Sequence, residues 1–175
     1  MPYSGKSEAV KIAQKRGYPV TRMGDMIWEE TKRQGLPLTD HNVGSIATKF
    51  RKMKGPDIWA QRTVKKISKY ENTSIIIIDG IRNTAEVIYF KKYLSNDFIL
   101  VAIQTNNSLR YNRAKSRGRI DDATSLTKIK QRDEREISWG LEKIIDAADI
   151  IIPNNDKLKD FQNKINDFFN DIEKR

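Results

Sequence analysis

At 175 residues the chain is the length of one ordinary domain and can bury a sizeable core. Its 38% apolar content, with nine glycines and five prolines, excludes a disordered or fibrous chain, and the lack of cysteine excludes a disulfide framework, a thiolate nucleophile and a Cys-ligated metal. Lys and Arg number 33 against 23 Asp and Glu, and this net charge of +10 points to anionic partners: nucleotide phosphates, a nucleic acid or an acidic membrane surface.

From the N-terminus, residues 7–16 carry Ala9, Val10, Ile12 and Ala13 at helical spacing, and Gly17 ends the run. Tyr18-Pro19-Val20-Thr21 reads as a short strand, with Pro19 permitted near its start or at an edge. Residues 24–34 are helical and stop at Gly35-Leu36-Pro37. Thr39 can cap a second helix through Val43, Ile46, Ala47 and Phe50, and a third follows Pro56 through Ile58, Val64 and Ile67. Ser74-Ile75-Ile76-Ile77-Ile78-Asp79 is the clearest strand. Its continuous β-branched run, without alternation, predicts burial on both faces, as in a parallel sheet. A helix follows over residues 85–94, then a buried strand over 98–103, two helices over 108–117 and 124–147, a last strand over 149–152 and a C-terminal helix through Leu158, Phe161, Ile165, Phe168 and Phe169. Strands alternating with helices predict an α/β domain with helices on both faces of the sheet.

The opening MPYSGKS ends like the phosphate-binding motif G-x-x-x-x-G-K-S/T and runs straight into a helix, the context the motif requires. Backbone N–H groups of such a loop point at phosphate oxygens from the helix N-terminus. Ser4 and Gly5 would form the loop, Lys6 would reach the terminal phosphates and the Ser7 hydroxyl would bind Mg²⁺. As plain sequence, Gly5-Lys6-Ser7 also reads as an exposed lysine at a helix start. Asp79-Gly80-Ile81-Arg82 lies at the C-terminal end of the Ile strand, the edge where parallel α/β sheets bind ligands. Asp79 is placed to orient Mg²⁺ or its water, and Arg82 can fork onto a phosphate.

Arg22-Met23-Gly24-Asp25 follows the first predicted strand. Asp25 reads either as a helix cap or as an acceptor of a substrate hydroxyl's proton. Arg110, Arg113 and Arg117 share one helix face at i, i+3 and i+7, and Lys115 and Arg119 add to the stretch. The stripe is either a solvated face or a lid that brings arginines onto a transferring phosphoryl group. Arg132 and Arg135 can join it, or pair with Asp133, Glu134 and Glu136. His41 reads as a surface residue. Trp28, Trp59 and Trp139 stand at different helical positions and form no stacking run.

Taken in order, MPYSGKS, RMGD, IIIIDGIR, RGRIDD, RDERE and ADIIIPNND cover essentially the whole chain. Together they resemble the P-loop kinases of small nucleotides: adenylate kinase, dephospho-coenzyme A kinase and especially the archaeal UPF0200 relatives of both. The resemblance implies a three-layer α/β/α P-loop NTPase fold with a parallel sheet, in one domain over residues 1–175. It also implies a helical acceptor-binding insertion over residues 24–70 and a small lid over 110–135. It implies that Lys6 and Ser7 hold ATP and Mg²⁺, that Asp25 faces the acceptor hydroxyl, and that Arg82 meets the acceptor phosphate. Arg113, Arg117 and Arg119 fall where lid arginines occur, and Asn154 or Asn155 falls where the chain packs on adenine.

Two departures stand out. Adenylate kinases carry a proline between the glycine and arginine of the acceptor motif; here Asp79-Gly80-Ile81-Arg82 has none and is one residue shorter, which weighs against AMP as the acceptor. The motif's first glycine would precede Met1, so the reading expects a natural start about ten residues upstream. In the resembling family that upstream strand lies mid-sheet, between the strands at 75–78 and 98–103, and without it both neighbours expose backbone groups.

The function expected is transfer of the γ-phosphoryl group of ATP, with Mg²⁺, to a nucleotide-like acceptor, a nucleoside monophosphate or a dephospho-coenzyme A-like molecule. Two rivals remain: an ATPase or nucleotide switch with no small-molecule acceptor, and a basic RNA- or ribosome-associated binding protein. No apolar run approaches the ~18 residues of a membrane span and the start has no signal-peptide core, so a cytoplasmic protein is expected.

Overall fold

Each apolar run of the sequence contributes a short parallel strand, and the helices between them lie on either side. A computed structural model describes residues 1–70, 73–117 and 126–174, with the side chain of Arg117 excepted. Helix α1 (Lys6–Lys15) is followed by β1 (Val20–Arg22), then α2 (Met23–Arg33), α3 (Asp40–Lys54) and α4 (Ile58–Ile67). Next come β2 (Ile77–Asp79), α5 (Thr84–Leu94), a 3₁₀ turn at Ser95–Asp97, β3 (Val101–Gln104) and α6 (Asn107–Arg117). Helices α7 (Leu126–Ser138) and α8 (Leu141–Asp146), strand β4 (Ile150–Pro153) and α9 (Leu158–Glu173) complete the order.

Strand β1 pairs parallel with β2 in the register Val20↔Ile77, Thr21↔Ile78, Arg22↔Asp79. Strand β3 pairs parallel with β4, from Val101↔Ile150 to Gln104↔Pro153. Among the described residues no ladder joins the two pairs. Period-two alternation sends neighbouring side chains to opposite faces. Ile77 packs with α1 and α9 in a cluster built on Ile12, Ala13, Phe161, Ile165 and Phe169, whereas Ile78 packs with Met23, Met26, Phe50, Trp59 and Phe90 on the side of α2 to α5. This is the expected α/β arrangement with helices on both faces. Phe161, Ile165 and Trp59 are at most 2% exposed, and burying each is worth about 1.5–3 kcal/mol.

The Ile strand differs from the expectation. It starts at Ile77 rather than Ser74, and its residues are half-buried rather than buried on both faces. Helices do cover both faces, but among the described residues β2 is laddered along one edge, to β1. The helix expected over 124–147 is divided as well. Gly140, at φ 100°, turns the chain left-handed between α7 and α8, a conformation glycine adopts without penalty.

Two local devices fix what surrounds the site. Thr39 caps α3 by accepting from the Asn42 N–H at 3.2 Å, as its position predicts. Asn83 and Glu86 form a capping box on α5, and Glu86 also accepts from the Arg82 N–H at 2.9 Å. Arg51 of α3 donates to the fully buried Glu86 at 2.8 Å and lies over the Trp139 ring at 4.7 Å. The turn after β2 is thereby tied to α3 and to the end of α7.

Candidate functional site

The segment before α1 curls because Tyr3 (φ 61°) and Gly5 (φ 111°) both take left-handed backbone. Gly5 is also required by space: a Cβ there would lie 2.2 Å from Asn154 Nδ2. The loop's carbonyls are held from behind. Asn154 Nδ2 donates to the Ser4 carbonyl at 2.8 Å, Thr105 Oγ1 donates to it at 2.9 Å, and Arg110 donates to the Pro2 carbonyl at 3.0 Å. No side chain caps α1. The Glu8 N–H donates to the Gly5 carbonyl at 2.9 Å; a helix N-terminus points its first N–H groups and the positive end of its dipole outward, so this end is suited to an anion. Among the described residues the Ser4 hydroxyl, buried there, has no hydrogen-bond partner.

In front of the loop lies a cavity of about 390 Å³. Lys6 Nζ stands 3.5 Å from Asp79 Oδ1, and Asp79 ends β2 directly opposite Arg22 in the register with β1. Burial alone would raise the Asp79 pKa. The Lys6, Arg82 and Arg22 cations outweigh burial and hold the carboxyl below its ordinary value. Asp79 is therefore a carboxylate at neutral pH, available to a cation.

The cavity lining also carries a chain of charges. Glu136 of α7 is 3% exposed, 3.3 Å from Arg82 Nε through one oxygen and 3.3 Å from Arg132 Nε through the other. Its burial raises its pKa, but Arg82, Arg132 and Lys6 prevail, so it too titrates below the ordinary carboxylate range. Asp40, the first residue of α3, accepts both terminal nitrogens of Arg135 at 2.8 Å and lies 3.7 Å from Arg132 Nε. Three arginines and two carboxylates thus run from the turn after β2, across α7, to α3. Bidentate guanidinium–carboxylate pairs of this kind fix orientation as well as charge.

The structure brings Ser4, Gly5, Lys6, Ser7, Asp25, Asp79, Arg82 and Arg113 to this one cavity, although they come from distant parts of the sequence. Asn154 is placed differently from the expectation. It is 4% exposed beneath the loop, spends its amide on Ser4 and accepts from Arg113 at 3.4 Å, so it supports the loop rather than facing a base. The arginine stripe divides. Arg110 is 1% exposed and paired with Asp133 at 2.7 Å, whereas Arg113 reaches the cavity. Arg119 and the side chain of Arg117 lie outside the described residues. His41 is exposed, as expected, and Trp59 is buried in the core.

Sequence reasoning missed four wall residues: Glu136, Asp40, Trp28 and Trp139. The spacing of Arg132 and Glu136 signals an ion pair but not which way α7 turns it. The two tryptophans share the cavity despite their separation in sequence. The Asn83-x-x-Glu86 capping box was a legible signal for the buried Glu86. Among the described residues, no group of three or more His, Asp or Glu clusters at metal-binding range, and no helix is long and apolar enough to cross a membrane.

Comparison with known proteins gives a consistent result. A sequence family described as an AAA domain matches residues 1–130. The UPF0200/UPF0201 protein of Archaeoglobus fulgidus is 42% identical over 165 residues, which are 94% of this chain and 51% of that protein. A UPF0200 protein of Methanosarcina barkeri is 42% identical over 94% of this chain and 88% of its own length. One from Thermoplasma acidophilum is 41% identical over 92% of this chain and 87% of its own. The chain spans about half the length of the Archaeoglobus relative and nearly nine-tenths of the other two.

Proposed function

The chain belongs to the UPF0200 family and is a P-loop nucleotide-binding protein, and from that premise we propose that it transfers the γ-phosphoryl group of ATP to a nucleotide-like acceptor. One observation carries the reading: a single cavity holds an uncapped helix N-terminus with Lys6, an ionised carboxylate at a strand end, and a cluster of arginines beside them. An ATPase needs the first two; the third is the part that suits an anionic acceptor.

The residues present fit MgATP. The uncapped first turn of α1, the unpartnered Ser4 hydroxyl and Lys6 offer donors to phosphate oxygens. With no denser carboxylate group among the described residues, Mg²⁺ would be held by the Ser7 hydroxyl and Asp79 together with the phosphates. When bound, Mg²⁺ neutralises charge on the β- and γ-phosphates. Phosphoryl transfer is governed by positioning and charge, with little covalent work for the protein. Lys6 and Arg113 supply positive charge around the transferring group, Arg113 from α6 in the lid region expected over residues 110–135. Helices α2 and α3, in the insertion over residues 24–70, supply the acceptor wall through Asp25, Trp28, Asp40 and Gly44. Arg82 and Arg132, held apart by Glu136, orient the acceptor's anionic group. Asp25 accepts the proton of the acceptor hydroxyl as that oxygen bonds to the γ-phosphorus, the β–γ bridging bond breaks, and ADP leaves with the bridging oxygen. The use of ATP implies a cytoplasmic setting.

The test is ADP release from MgATP as a function of added acceptor. The expected result is release that rises with the acceptor and falls by at least about 100-fold in Lys6→Ala. ADP release indifferent to every acceptor would leave an ATPase or switch and remove the kinase reading.

A further inference from the structure

The acceptor side of the cavity does not end at α3. Gly44 and Arg135 line the cavity and also line a shallower groove of about 600 Å³ along the outer face of that helix. The two spaces therefore meet where the Arg135 guanidinium lies on Gly44. A Cβ at Gly44 would come within 3.1–3.2 Å of three guanidinium atoms, so the missing side chain is what lets Arg135 lie flat at this junction.

The groove is lined from α3 by His41, Ser45, Thr48, Lys49 and Lys52, spaced by three and four residues on one helix face. No acidic residue lines it. Arg135 is neutralised by Asp40, whereas Lys49 and Lys52 have no ion-pair partner among the described residues. Two uncompensated cations thus extend the cavity in a groove without a counter-charge. Lysines on a helix are commonly solvated, but these two continue a cavity already lined by arginines, and their field adds to it. From Gly44, Lys49 and Lys52 lie about 8 and 12 Å along the helix axis, so one phosphate held between Arg82 and Arg132 cannot also meet Lys52.

We propose that Lys49 and Lys52, with the Ser45 hydroxyl, form a second anion subsite for an acceptor that carries another phosphate beyond the one nearest the reacting hydroxyl. The acceptor is then a bisphosphorylated nucleotide or the end of an oligonucleotide, rather than a nucleoside monophosphate. The identification of this ligand as the acceptor rests on the kinase reading; the binding itself does not.

The experiment is calorimetry on MgADP-saturated protein with three ligands: AMP, adenosine 3′,5′-bisphosphate and a 5′-phosphorylated tri-adenylate. The ligands with more than one phosphate should bind about tenfold more tightly than AMP, and Lys49→Ala/Lys52→Ala should remove that advantage while leaving AMP unchanged. Both side chains are exposed, so the double variant folds. For the tri-adenylate, the salt dependence of log K should flatten by about 1.4, at about 0.7 per lost single-strand contact. An advantage fully present in the bisphosphate makes the acceptor a small molecule; one present only in the tri-adenylate makes it a nucleic-acid end. Equal affinity for all three ligands, or an advantage that survives the double substitution, overturns the subsite. Phosphoryl transfer is assayed separately. Its absence, with the binding advantage intact, would remove the kinase reading and leave the anion subsite standing.

Discussion

At the scale of single residues, Glu136 decides most. It is a carboxylate buried among three cations in a cavity suited to anions, and its partners Arg82 and Arg132 are 22% and 14% exposed at the side chain. Breaking a fully buried pair costs about 3–5 kcal/mol; partial solvation of both arginines lowers the expectation for Glu136→Gln to about 1–3 kcal/mol at pH 7. The sign with pH follows from the depressed pKa. The carboxylate's contribution is complete above the ordinary glutamate value of about 4.3 and disappears as pH falls through the lower folded-state value. Urea unfolding should therefore show a gap between wild type and variant at pH 7 that narrows below about pH 4; a gap constant with pH would show that the charge is not what matters. Residue type and local position made Lys6, Ser7 and Asp79 legible in the sequence, because a phosphate loop and a strand-ending acid are short-range patterns. Glu136 was not legible as a wall residue, since its role depends on how α7 docks. Asn154 was read as facing a ligand, yet Gly5 leaves space that its amide fills, and that is a contact between residues 149 positions apart.

At the scale of elements, Asp40 at the start of α3 ties that helix to Arg132 and Arg135 of α7. Asp40 and Arg135 are each about 30% exposed at the side chain, so their pairing contributes about 1 kcal/mol or less to stability. Its larger effect is to hold Arg135 and Arg132 in the wall. Asp40→Asn should leave the unfolding midpoint nearly unchanged and raise the acceptor KM several-fold with little change in kcat, the pattern of lost binding common to ground and transition states. A fall in kcat with KM unchanged would place these arginines at the reacting group instead. The helices themselves were legible, because Thr39, Gly17, Gly35-Leu36-Pro37 and the 3.6-residue apolar spacing are local signals. The strands were legible as to place but not extent. Four consecutive isoleucines suggested a strand buried on both faces, but among the described residues Ile77 and Ile78 ladder, to β1, and Ile75 and Ile76 do not. Periodicity carries no information about how many neighbours a strand will have.

At the scale of the whole molecule, the protein is a basic α/β domain whose parallel strand pairs carry one loop and one acid to a shared cavity, while helices from the other half of the chain supply arginines. A net charge of +10 serves such a site by attracting polyanions from a distance, an effect that weakens with salt. It is equally what an RNA-binding protein would show, so charge alone cannot carry the function; the convergence of Lys6, Asp79 and the arginines does. The most direct test of that convergence is a calorimetric titration of MgATP into the wild type and into Lys6→Ala, with thermal unfolding followed in parallel. The account predicts one site in the wild type, stabilisation of about 2.7 kcal/mol at one hundred times the Kd, and loss of both signals in Lys6→Ala. Binding of MgATP unchanged by Lys6→Ala, or no binding in the wild type, would contradict it.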